Sequence, residues 1–203
     1  MIRMKDMTGK RVKKHKLISG PKTSASRLDQ AISKHIEKIE TGTLLAIDPS
    51  SGSEKSQPGY ALFKQGKLVD SGLVRIRPGV ELSNRLYNLS KSLREDFEQP
   101  DLLVTEHLAP FMGEGKGSFF STRNVISLHQ SVGVIMSIWD VPVLTVSPRS
   151  WHALTPDNYL KSDENDAIMI GWTVLAKCHL ITAKDFLEFD DRLINRLTTG
   201  EWK

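Results

Sequence analysis

Apolar residues recur along this chain with two different periods, and the switching between them outlines a fold. Between residues 25 and 40, Leu28, Ile32, Ile36 and Ile39 fall three or four apart, the spacing of one face of an amphipathic helix that stops before Gly42. Residues 43–48 (Thr-Leu-Leu-Ala-Ile-Asp) are almost continuously apolar, as in a strand covered on both faces, and end in a carboxylate. Two more strands are expected at 59–64 and 67–76, joined by Gln65-Gly66 as a hairpin turn. Leu82, Leu86, Leu89, Leu93 and Phe97 predict a helix over 81–98 that stops at Pro100. Residues 101–106 (Asp-Leu-Leu-Val-Thr-Glu) read as a second short buried strand that again ends in an acid. A helix at about 121–139 and a strand at 141–147 follow, then an irregular stretch from Pro148 to Tyr159 that carries Trp151. One helix opens after Ser162, and a last amphipathic helix lies near 183–198.

Strands that open on a hairpin and then alternate with helices predict an α/β fold, a mixed sheet with helices on its faces. In such a sheet, parallel crossover strands gather their C-terminal tips on one edge, which brings Asp48 and Glu106 near each other. The chain of 203 residues is long enough for one such domain with an extension. The expected division is a flexible basic arm at 1–23, an amphipathic helix and linker at 24–42, and the domain proper at 43–203.

Charge changes this picture at one end. Residues 1–40 hold eleven Lys and Arg against four acids, a surplus of seven within a total of +4, so the body of the chain is mildly acidic. A basic arm on an acidic body is the electrostatic pattern of a polyanion binder that keeps its carboxylates for another purpose. Cys178 is the single cysteine, which rules out an intrachain disulfide and suits a reducing compartment. No apolar run approaches the ~20 residues needed to span a bilayer, and the basic N-terminus lacks the apolar core of a secretory signal. A cytoplasmic location is expected, with no membrane partner.

The candidate chemistry is acidic. Asp48 and Glu106 at strand tips suit oxygen-only coordination of Mg²⁺ or Mn²⁺, ions that take carboxylates, waters and phosphates. A third source of acids is Ser162-Asp163-Glu164-Asn165-Asp166, where Ser162 can cap a helix and Asp163 and Asp166, three apart, share a face. Acids at a helix start are also favoured by the helix dipole alone. The chain has no His-x-Glu-x-x-His, no cysteine pair and no Walker loop, so zinc and P-loop chemistry lack support. The Gly-rich stretch 111–118 lacks the phosphate-loop spacing and reads as a substrate-facing loop.

Six segments in order carry a resemblance. Ala46-Ile47-Asp48-Pro49-Ser50 looks like an "IDPG" opening with Ser for Gly, and Gly59-Tyr60 like a "TGY" strand. Val104-Thr105-Glu106 with Pro110–Gly113, Leu128–Ile135, Pro142-Val143 with Ser147–Trp151, and Asp163–Ile168 follow at matching places. Together they resemble the RuvC-type Holliday junction resolvases of the RNase H-like nuclease superfamily, especially phage-encoded members. The resemblance implies an RNase H-like five-stranded mixed sheet flanked by helices, with Asp48, Glu106, Asp163 and Asp166 as metal-binding catalytic acids. It implies two Mg²⁺ ions per site, replaceable by Mn²⁺, and phosphodiester hydrolysis at four-way DNA junctions. It also implies a homodimer, since symmetric cleavage needs two sites related by a two-fold axis. Lys161, Lys116, Arg123, Lys13 and Lys14 are the basic residues expected to meet DNA. A second register places the last acids at Glu188 and Asp191, also three apart. Rival readings are a flap, branched-DNA or RNA·DNA hybrid nuclease, and a non-catalytic branched-DNA binding module.

Overall fold

The structure is a computed structural model that describes residues 24–49, 57–76, 81–108, 122–184 and 191–201. At its centre the apolar run forms β1 (Thr43–Asp48), buried from Leu44 onward. Both neighbours explain this burial. β2 (Gly59–Lys64) pairs with β1 antiparallel, Asp48 opposite Gly59, and β4 (Leu102–Glu106) pairs with it parallel, Ile47 beside Thr105. β3 (Lys67–Leu73) lies outside β2, and β5 (Val143–Val146) lies parallel outside β4. The order β3-β2-β1-β4-β5, an antiparallel hairpin pair on one side and two parallel strands on the other, is the RNase H-like arrangement expected. Between β2 and β3, Gln65 (φ 51°) and Gly66 (φ 73°) both take the left-handed conformation that a two-residue hairpin turn of type I′ requires.

Successive strand residues point to opposite faces, and the two faces build two cores. Leu45, Ile47 and Leu103 face α3 (Leu82–Asp96) and α4 (Thr122–Ser137), meeting Leu89, Leu93 and Ile135. Leu44, Ala46, Leu102, Val104, Leu144 and Val146 face α6 (Asp163–Thr182). This helix is buried all round from Asn165 to Ala176, which only a helix covered on both sides can be. Its second cover comes from the start of the chain: α1 (Ser24–Lys34) and α2 (Ile36–Thr41) lay Leu28, Ile32 and Ile39 into the same core. Lys177 pairs with Asp29 at 2.9 Å and Lys184 with Glu40 at 2.5 Å across that seam.

Three elements differ from the pattern read in the sequence. The expected single helix at 25–40 breaks at His35, so that α1 crosses β5 and α6 while α2 carries Ile39 to β1. The stretch after Pro148 is not irregular at its start but forms α5 (Pro148–His152), with Pro148 in the first turn and the Ser147 side chain accepting from Ser150 N. Of the last helix the described residues show α7 (Asp191–Thr199), which buries Leu193 and Leu197, while Ala183 closes α6 instead of opening it.

Gly171 marks the closest approach of α6 to the sheet. A Cβ there would collide with the Phe63 ring and stand 3.0 Å from the Ala46 Cβ, whereas one on Gly133 of α4 would meet nothing within 4 Å among the described residues. Alanine favours a helix interior over glycine by about 1 kcal/mol. Gly133→Ala should therefore stabilise the protein by up to ~1 kcal/mol, and Gly171→Ala should destabilise it by about 1–3 kcal/mol through overpacking. Urea denaturation of the two variants checks this, and equal shifts would contradict the packing.

Candidate active site

β1 and β4 run parallel with Ile47 beside Thr105, so Asp48 and Glu106 are the next residue on each strand. By the alternation of the strand they share the face of Ala46 and Val104, the one covered by α6. Asp48 is buried and Glu106 half-buried. The indole of Trp151 on α5, itself in the core, donates from Nε1 to Glu106 Oε1 at 3.2 Å.

The first turn of α6 lies over these strand tips. Ser162 caps it, accepting from Asn165 N at 3.1 Å, and Asn165 Nδ2 donates to the Leu160 carbonyl at 2.7 Å. Gly59, the partner of Asp48 across the antiparallel ladder, sits directly beneath: a Cβ on it would overlap the Asp163 carbonyl and stand 2.7 Å from Glu164 N. Glycine before Tyr60 is thus a requirement of close approach, which lets the helix start settle beside Asp48. Asp166 is buried, and its Oδ1 accepts from the Tyr159 hydroxyl at 2.6 Å. Asp163 is half-buried three residues earlier. Glu164, between them, serves another purpose. It accepts from Ser71 Oγ at 2.7 Å and pairs with Arg196 of α7, tying the helix start to β3 and to α7.

The groups share one electrostatic environment. Burial lifts the Glu106 carboxyl above its ordinary range; the Trp151 hydrogen bond opposes this, the Asp166 charge adds to it, and Lys161 opposes it. Burial likewise lifts Asp166, against the Tyr159 hydrogen bond and the charges of Lys161 and His152. Tyr159 is pushed far above the ordinary phenol range by burial first, then by its hydrogen bond to Asp166 and the charges of Asp166 and Asp48. Its proton therefore stays on the oxygen, and it remains a donor to Asp166.

Asp48, Glu106 and Asp166 are thereby brought together, with Lys161 exposed nearby. Arg123 falls in the first turn of α4. Lys13, Lys14, Lys116 and Glu188 lie outside the described residues, as do the arm 1–23 and the Gly-rich stretch 111–118. Asp191 of the second register is exposed at the start of α7. Trp151, Tyr159 and Arg196 had no expected role at the site. Their partners are 45, 7 and 32 residues away, and no local spacing signals such contacts.

The donors suit a hard divalent cation. They are carboxylate oxygens only, and like charge gathered under partial burial favours a counter-ion. Among the described residues no three acidic, His or Cys side chains converge to hold an ion by themselves. Mg²⁺ asks for less: one or two carboxylates, with waters and phosphate oxygens completing its octahedron.

The raised carboxyls have a consequence for stability. As pH rises through the ordinary carboxylate range, the unfolded chain releases its protons before native Glu106 and Asp166 do, so their contribution to stability falls. Glu106→Gln and Asp166→Asn each keep one acceptor oxygen and remove the charge. In metal-free buffer at neutral pH each should raise the unfolding midpoint, by about 2–4 °C per kcal/mol of relieved cost. The gain should shrink below the ordinary carboxylate range. Midpoints unchanged or lowered at neutral pH would contradict this account.

No protein-family model and no curated protein matches the chain. Among solved structures it is similar to T. thermophilus RuvC in complex with Holliday junction substrate, with a TM-score of 0.48 and 12% identity over 69% of this chain and 95% of that one. It is similar also to a second Thermus thermophilus RuvC structure, with a TM-score of 0.48 and 12% identity over 70% of this chain and 97% of that one. At this identity and score the likeness says nothing of substrate or chemistry.

Proposed function

We propose that this protein is a metal-dependent, structure-selective endonuclease that hydrolyses DNA phosphodiesters at four-way junctions, acting as a homodimer. The observation that carries the reading is the gathering of Asp48, Glu106 and Asp166, from two parallel strand ends and one helix start, on a single face of the sheet. Junction DNA as the substrate rests on the six ordered motifs of the sequence, and the basic surplus of the first forty residues suits a polyanionic partner.

Asp48, Glu106, Asp163 and Asp166 would hold two Mg²⁺ ions, or Mn²⁺ in their place. Bound there, such ions supply an activated water and neutralise charge on the scissile phosphate and leaving oxygen. The chain's own residues do the rest. Asp48 and Glu106 present acceptor oxygens from rigid strand tips, and Asp166 closes the set from the capped helix start. Lys161, exposed and electrostatically coupled to both Glu106 and Asp166, would meet the phosphate backbone and offset its charge. A two-fold dimer would set two such sites against opposing strands of one junction, so that shape rather than base sequence selects the substrate.

The test offers the full chain, with Mg²⁺, an immobile four-way junction, a flap, an RNA·DNA hybrid and a linear duplex. Paired nicks in opposing junction strands are expected, and Asp48→Asn should lower the rate on the order of 10³-fold. Preferred cutting of the flap or hybrid would reassign the substrate, and junction binding without cutting would make the protein a binding module. In the same assay Asp166→Asn should lose activity to a similar degree while Asp191→Asn keeps it. The reverse result would move the last acids to α7.

A further inference from the structure

The connection from β5 to α6, residues 147–162, supplies two neutral hydrogen-bond donors to the acidic cluster. Trp151 gives its indole N–H to Glu106 Oε1 at 3.2 Å, and Tyr159 gives its hydroxyl to Asp166 Oδ1 at 2.6 Å. Neither donor is loosely held. Trp151 is 3% exposed and stacked on His152 with ring centroids 3.7 Å apart, while Tyr159 packs against the α6-side core. The connection is fastened at both ends: Ser147 caps α5, Leu160 N donates to the Leu197 carbonyl at 2.7 Å, and the Leu160 carbonyl accepts from Asn165 at 2.7 Å.

Each donor occupies one oxygen of its carboxylate and leaves the other, Glu106 Oε2 or Asp166 Oδ2, for a cation. A carboxylate held this way spends no rotamer freedom when an ion binds. Because both donors are uncharged, they orient the acids without competing for the cation's place as a Lys or Arg would. We propose that Trp151 and Tyr159 are positioning residues, a two-point clamp carried by one connection that sets the divalent-cation affinity of the site. This inference rests on the nuclease reading above.

The test measures Mn²⁺ binding to the full chain by calorimetry, in parallel with the Mg²⁺ dependence of junction cleavage. Tyr159→Phe removes a single oxygen and preserves the ring. It should lower the unfolding midpoint of the metal-free protein modestly, by about 2–4 °C per kcal/mol of lost hydrogen bond, weaken Mn²⁺ on the order of tenfold, and raise the Mg²⁺ needed for half-maximal rate by the same factor. KM for DNA and kcat at saturating Mg²⁺ should stay within about twofold, a split that a merely structural defect would not give. Trp151→Phe should act in the same direction, with an added loss of stability from the smaller ring.

Wild-type Mn²⁺ affinity in Tyr159→Phe, with binding abolished in Asp48→Asn, would overturn the clamp and leave the nuclease reading standing. Wild-type protein that binds no Mn²⁺ in an Asp48-dependent way would overturn both. A fall in kcat that added Mg²⁺ does not restore would also overturn it, by placing Tyr159 in the chemical step instead of the affinity.

Discussion

Helix α6 can lie on the sheet only where side chains are absent from the points of contact: Gly171 within the helix, against Phe63 and Ala46, and Gly59 in β2, beneath the Asp163 carbonyl. Everything near the candidate site follows from that approach. Close contacts at Asp163 and Gly171, just over two helical turns apart, hold the axis down along the sheet, so the capped first turn settles on the tips of β1 and β4. A helix so deeply set is apolar all round and needs a second cover, which α1 and α2 provide with Leu28, Ile32 and Ile39. The N-terminal helices are thus part of the core that supports the site, although in sequence they lie far from the helix they cover.

Gathering carboxylates in such a place has a cost. Burial opposes the ionised forms of Glu106 and Asp166, and Asp166 adds repulsion at Glu106. The structure offsets this with neutral donors, Trp151 and Tyr159, and with the exposed charge of Lys161. A site of this kind stores unfavourable charge that a bound cation can relieve, so the same feature that lowers stability of the free protein favours binding.

The acids of the run 163–166 are chemically alike but play different parts. Glu164 is held by Ser71 and Arg196 and anchors the helix start to β3 and α7, whereas Asp166 turns to Tyr159 and the strand-end acids. α7 therefore steadies the site from outside, and its Arg196 faces a partner thirty-two residues earlier in the chain.

Much of this was legible in the residues alone. The buried run 43–48 and its parallel counterpart 102–106 announce central strands by their unbroken apolar character, and Gln65-Gly66 announces the hairpin; these are local properties of backbone and burial period. The pairing of Asp48 with Glu106 follows once parallel strands are expected, because their C-terminal tips must share an edge. The short helix at Pro148 carries local signs, a Ser cap and a first-turn proline, but the break at His35, the use of Glu164 as an anchor, and the donors Trp151 and Tyr159 were not legible. Each depends on where a distant element lies: the sheet edge for α1, the Glu106 oxygen for Trp151, Arg196 for Glu164. Sequence by itself determined which segments are strands and which ends carry acids, since periodicity and apolarity act over a few residues. Only the tertiary structure decided which acids meet and what holds them, because contacts between separate elements leave no mark on local pattern.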